Sequence, residues 1–208
     1  MTEITKNIYN IKIILLGETG VGKTNLINCY FGNKFMRDNL TTISAHQSHQ
    51  TVNIKNNICY VDIWDTMGQE KFHSVTQSLI KGSHIVIFVY DVTNIKTFEE
   101  IDFWVNLAKE EVSVDKTVFG LVGNKLDLYD NIQVGTNEAK EYAKKISAYF
   151  SETSAKETPQ IFKEFVQKLL EKLFLDENNV EKQGTIIEKS FKKNQSSKKK
   201  KKKKKDCC

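Results

Sequence analysis

Gly17-Glu18-Thr19-Gly20-Val21-Gly22-Lys23-Thr24 fits the pattern G-x-x-x-x-G-K-[ST]. An apolar, β-branched run over residues 8–16 ends at Gly17, and a helix is expected over residues 22–31. That context gives the pattern a physical meaning. Glycines let the backbone curl until several N–H groups face one anion. The helix start adds the positive end of its dipole. Lys23 brings a point charge to the β- and γ-phosphates of a nucleotide, and the Thr24 hydroxyl suits Mg²⁺, a hard cation that takes oxygen ligands. The loop predicts a bound nucleoside phosphate without choosing between adenine and guanine.

Working outward, short β-branched runs alternate with amphipathic segments. Residues 52–55 and 59–64 read as paired strands with a turn at Asn56-Asn57. Residues 84–90 and 117–122 read as strands buried on both faces. Residues 94–111, 136–147 and 161–175 have helical spacing, with Asn94 as a cap and Pro159 at a first helical position, and residues 148–150 make a short strand. The alternation predicts an α/β fold, a mostly parallel sheet with helices on both faces. Ligands in such sheets bind beyond the carboxyl ends of the strands.

Two further motifs stand at such ends. Asn124-Lys125-Leu126-Asp127 follows one buried strand, and Glu152-Thr153-Ser154-Ala155-Lys156 follows the short strand. Guanine offers N1–H and N2–H₂ donors that a carboxylate at Asp127 accepts, whereas adenine offers neither in that geometry. A buried acid facing the wrong base would stay unpaired, which rejects it strongly. With Trp64-Asp65-Thr66-Met67-Gly68-Gln69-Glu70 and Tyr90-Asp91-Val92-Thr93, these motifs give five in order. On them, residues 8–175 resemble a Ras-superfamily small GTPase, most closely the Rab branch.

The resemblance implies a phosphate-loop G domain over residues 1–175, with a six-stranded, mostly parallel sheet, that binds GTP or GDP with Mg²⁺. It implies that residues Glu18, Thr19, Gly20, Val21, Gly22, Lys23, Thr24 and Asn25 cradle the phosphates, with Phe35 packed edge-on against the nucleotide. Asn124 and Asp127 hold guanine, the Lys125 stem lies over the base, and Ser154, Ala155 and Lys156 complete that pocket, the Ala155 amide reaching O6. Thr24, Thr42 and Asp65 are the implied metal residues, Thr42 joining only in the GTP state; the Gly68 amide meets the γ-phosphate, and Gln69 orients the attacking water. Arg37 is the only arginine, so no arginine finger lies within the chain and unaided hydrolysis should be slow.

Three positions depart from the pattern. Met67 stands where the family usually has Ala, which suggests slower hydrolysis or a shifted switch, and leaves a GTP-binding adaptor with little hydrolysis as an alternative. Ser44-Ala45-His46-Gln47-Ser48-His49-Gln50 replaces the usual effector-facing stretch; Trp64 keeps its place in the apolar cluster there, while Gln47 and Leu79 take the other two. His46 and His49 fall on opposite faces of a strand, which argues against a shared metal. Thr19 stands where Ras-like loops often have Gly.

The net charge of +5 is uneven. Twelve lysines against five acids after Leu175 give residues 176–208 a charge of +7, leaving −2 on residues 1–175. A basic nucleic-acid binder would carry its lysines and arginines in the folded part, so no nucleic acid is expected. Residues 176–208 are too polar to offset their ordering entropy and are expected to be disordered. Cys29 and Cys59 read as buried thiols in a reducing compartment. No secretory signal, myristoylation glycine or membrane-spanning run is legible. Cys207-Cys208 behind the run of residues 198–205 matches the doubly geranylgeranylated ends of Rab-like proteins. The resemblance therefore implies an anchor on the cytoplasmic face of an endomembrane with a cytosolic pool, an anionic membrane surface, prenylation machinery, a dissociation inhibitor, effectors, an exchange factor and a GTPase-activating protein.

Overall fold

A strand of 14 residues, β1 (Glu3–Leu16), runs through the middle of the sheet. The computed structural model describes residues 3–37, 42, 45–66, 73–175 and 180–189. After β1 come α1 (Lys23–Tyr30), β2 (His46–Ile54), β3 (Asn57–Asp65), α2 (His73–Ile80), β4 (Ile85–Asp91), α3 (Ile95–Glu99) and α4 (Ile101–Glu111). Then follow β5 (Val118–Asn124), α5 (Thr136–Lys145), β6 (Tyr149–Glu152), α6 (Pro159–Leu173) and β7 (Lys182–Lys189). The strand order is β2-β3-β1-β4-β5-β6, parallel except for β2 on β3.

The period-two alternation of β1 divides its side chains between two cores. Ile11, Ile13 and Leu15 face one core with Leu26 and Ile27 of α1 and Phe162, Phe165 and Leu169 of α6. Ile14 and Leu16 face the other, with Ile80 of α2, Phe98 of α3, Trp104 and Ala108 of α4, and Ala139 and Ala143 of α5. β4 is buried along its whole length, as its unbroken apolar run predicts. Burial on both faces holds these strands rigid, so the loops at their carboxyl ends have a fixed base.

Several details differ from the sequence reading. β2 begins at His46, because each polar residue of that stretch finds a cross-strand partner on β3. The turn falls on Lys55-Asn56, with Lys55 at φ 54° and Ile54 opposite Asn57. The helix expected over residues 94–111 is two, α3 and α4, meeting at Glu100. Asn94 does cap it, accepting from the Lys96 N–H at 3.2 Å, and Pro159 does open α6. Cys59 is buried, but Cys29 is only half-buried.

The larger correction concerns the segment expected to be disordered from residue 176. Residues 182–189 form β7, antiparallel to the first half of β1, with Tyr9 opposite Lys182 and Glu3 opposite Lys189. The physical reason lies in β1. Its pairing with β4 starts only at Ile13, so its earlier residues present an open edge of N–H and C=O groups. Thr185-Ile186-Ile187 favours a strand, and the surrounding lysines hid that in the composition. Val180, 8% exposed, joins the core just before it.

Candidate functional site

Five strands end on one rim of the sheet. β1 leads into Gly17, and β3, β4, β5 and β6 finish at Asp65, Asp91, Asn124 and Glu152. Two glycines make the loop after β1 possible. A Cβ at Gly17 would overlap the Val89 carbonyl oxygen, and one at Gly22, where φ is +97°, would overlap the Asn124 amide. Gly22 caps α1, whose first turn therefore opens on the rim.

A cleft of about 340 Å³ lies there. Of the residues singled out in the sequence, Thr19, Gly20, Gly22, Lys23, Thr24, Asn25, Phe35, Thr42, Asn124, Lys125, Asp127, Ala155 and Lys156 line it. Glu18, Val21, Asp65 and Ser154 stand behind that wall and hold it. Gly68, Gln69, Met67, Ser44, Cys207 and Cys208 lie outside the described residues.

The Lys23 ammonium, 5% exposed, donates to the Gly17 and Glu18 carbonyls at 2.7 and 2.9 Å. Burial lowers its pKa to about 8, opposed by the charges of Asp65 and Glu18. Thr24 Oγ1 lies 2.9 Å from Thr42 Oγ1 and donates to Asp65 Oδ2 at 2.7 Å. Burial raises the Asp65 pKa; the Thr24 hydrogen bond and the Lys23 charge oppose it. Asp65 Oδ1 is buried and has no hydrogen-bond partner among the described residues. Two hydroxyls and a carboxylate with an unsatisfied oxygen fit a hard cation such as Mg²⁺. His46 and His49 are both exposed on β2, and His46 stands directly across the strand pair from Asp65.

Asn124 joins three segments. Its side-chain N–H donates to the Val21 carbonyl at 2.8 Å, and its carbonyl accepts from the Ala155 amide at 3.1 Å. Lys125, at φ 68°, pairs with Asp91 at 2.7 Å. Asp91 also accepts from the Thr93 N–H at 2.9 Å, so the Tyr90-Asp91-Val92-Thr93 motif fixes the lysine. Asp127 accepts from the Ser154 hydroxyl at 2.6 Å and lies 3.6 Å from the Lys156 ammonium. Asn25 accepts from the Met36 N–H at 3.1 Å and donates to the Met36 carbonyl at 3.0 Å, which ties the segment carrying Phe35 to α1.

The sequence reading missed three lining residues, Arg37, Thr66 and Leu128. Leu128 carried a signal, an apolar residue directly after Asp127 that stays 42% exposed. Thr66 adjoins Asp65 and donates to the Leu15 carbonyl at 2.7 Å, a backbone partner invisible in sequence.

The profile of the Ras family matches residues 12–174. The chain belongs to the Ras family of small GTPases. It is 35% identical to the Ras-related protein RABA1c of Arabidopsis thaliana, over 77% of this chain and 74% of that protein. It is 37% identical to the Ras-related protein Rab-2B of Dictyostelium discoideum, over 78% and 81% of the two chains. With Rab-11B of the same organism the figures are 38%, 71% and 66%. Such a GTPase binds a guanine nucleotide and acts with regulators or effectors.

Proposed function

We propose that this GTPase is a Rab-like, Mg²⁺-dependent switch that hydrolyses GTP slowly and recruits effectors in vesicle traffic, from the cytoplasmic face of an endomembrane. The observation that carries this reading is the Asp127 arrangement. Its carboxylate is fixed by Ser154 and flanked by Lys156, on a loop that Asn124 clamps to both the phosphate loop and Ala155. That geometry supports selection of guanine by its N1–H and N2–H₂ donors. Lys23 and the backbone N–H groups from Glu18 to Asn25 bind the phosphates. Thr24, Thr42 and Asp65 hold Mg²⁺, which when bound neutralises charge on the β- and γ-phosphates. Gln69 orients the attacking water, and a partner protein supplies an arginine, the chain's only one being Arg37. Cys207 and Cys208 are prenylated, and the lysine run beside them meets anionic lipid.

Displacement of a fluorescent GDP by unlabelled nucleotides tests the core of this reading. GTP and GDP should compete and ATP should not, and Asp127→Ala should lose at least about a hundredfold in GDP affinity. Equal competition by ATP would sink it. Met67 favours the adaptor reading in one respect, since a long side chain stands beside Asp65 and Gly68 in sequence. Single-turnover GTP hydrolysis should rise in Met67→Ala; an unchanged rate removes Met67 as a brake.

A further inference from the structure

Among the described residues, four cations line the cleft: Lys23, Arg37, Lys125 and Lys156. Three of them already face acids. Lys125 pairs with Asp91 at 2.7 Å, Lys156 lies 3.6 Å from Asp127, and the charges of Asp65 and Glu18 act on Lys23. Arg37, the chain's only arginine, has no ion pair or hydrogen bond among the described residues. A nucleotide brings several negative charges into this cleft. Arg37 is where the lining holds positive charge that is not already set against an acid.

The place of Arg37 is set by its neighbour. Asn25, in the first turn of α1, bonds both backbone groups of Met36, accepting from its N–H at 3.1 Å and donating to its carbonyl at 3.0 Å. Residue 37 is therefore held beside the helix end whose N–H groups suit phosphate. Arg37 is exposed, so its long side chain can swing over the cleft without leaving a packed position. Its guanidinium is a planar fork of donors that matches phosphate oxygens two at a time. Lys34, on the same segment, is also exposed but does not line the cleft.

We propose that Arg37 is a nucleotide-binding residue: its guanidinium closes over the phosphates from the solvent side of the cleft, as a second cation beside Lys23. This rests on the guanine-nucleotide reading above. The contact belongs to binding and release, and is separate from the arginine that a partner supplies for hydrolysis. Arg37 is exposed, so water and salt screen the attraction, and it slows release about fivefold rather than by orders of magnitude. A merely structural arginine would hold the shape of its segment without regard to salt.

Release of fluorescent GDP from the full chain, chased with unlabelled GDP, separates the two. At low ionic strength Arg37→Gln should release GDP about fivefold faster than wild type, and Arg37→Lys, which keeps the charge, should stay within about twofold. Near 1 M salt, where the screening length is about 3 Å, the gap between Arg37→Gln and wild type should close to less than about twofold. Lys34→Gln removes the same charge from the same segment outside the cleft, and should leave release unchanged. The proposal is overturned if Arg37→Gln releases GDP at the wild-type rate, if Arg37→Lys releases it as fast as Arg37→Gln, if the gap survives high salt, or if Lys34→Gln speeds release as much. Wild type that binds no GDP overturns the nucleotide reading as well; wild type that binds normally beside unresponsive variants overturns this proposal alone.

Discussion

Asn124 shows how one side chain serves stability and binding together. It is 1% exposed, and truncation to Ala strands the Val21 carbonyl and the Ala155 amide in a dry place. Asn124→Ala should cost about 2–4 kcal/mol, read by urea denaturation without nucleotide. Asp127→Ala should leave that midpoint nearly unmoved while still losing GDP. A stable Asn124→Ala would mean that water or relaxation satisfies both groups. His84 makes a separate, pH-dependent contribution. Its Nδ1 accepts from the Lys12 backbone N–H at 3.0 Å, which needs that nitrogen unprotonated. Burial lowers its pKa, the Lys12 charge adds to this and Glu181 opposes it. An unfolded imidazole takes its proton near 6.5. Below that value the unfolded chain holds more protons than the folded one, so His84's contribution is complete above about pH 6.5 and is lost as pH falls through the lower folded value. Denaturation midpoints from pH 7.5 to 5.5 should therefore fall more steeply for wild type than for His84→Gln; parallel curves would refute it. The residue types at Asn124 and Asp127 were legible because guanine's donors demand them. The partner of His84 was not, since that bond joins residues 72 positions apart.

Among the elements, legibility followed burial. β4 and β5 read directly from unbroken apolar runs, because burial on both faces leaves no polar position to confuse the pattern. β2 was read one residue too long at its end and six too short at its start, since its pattern is polar and its strand character comes from β3. The split at Glu100 left α3 and α4 on one apolar stripe, so periodicity could not see it. β7 is the extreme case: its stability depends on an edge that β1 leaves open far away in sequence. That makes β7 testable as a unit. Hydrogen exchange of the full chain should protect amides of Lys182–Lys189 that pair with β1, and Gly184→Pro, which removes a donor and fixes φ, should release them together. Exchange of those amides at unfolded-chain rates would refute the pairing.

The charge distribution and the path of β7 bear on how the chain would meet an anionic membrane surface. β1 runs from Glu3 to Leu16, so its two ends lie roughly 40 Å apart at about 3.3 Å per residue. The cleft is at the Leu16 end, and Lys189 pairs with Glu3 at the other. Chain after Lys189 therefore leaves the domain at the pole remote from the cleft. The 19 residues that remain span at most about 65 Å. They hold ten lysines and the Cys207-Cys208 pair, whereas residues 1–175 carry −2. Attraction to an anionic leaflet would thus pull that pole toward lipid and leave the cleft facing partners. At about 1 kcal/mol per lysine near such a surface, replacing residues 198–205 with glutamine should weaken binding to anionic vesicles by at least a hundredfold. Unlipidated full chain should co-sediment with anionic but not neutral vesicles at low ionic strength, and should dissociate near 1 M salt, where the screening length shrinks to about 3 Å. Equal binding to neutral vesicles, or binding indifferent to salt, would show that apolar contact and not the lysine run drives the association. A spin label at Glu188 should then sit nearer the bilayer than one at Thr19, because β7 carries its residue to the lipid-facing pole while the phosphate loop lies at the other; the reverse order would place the cleft against the membrane and refute this orientation.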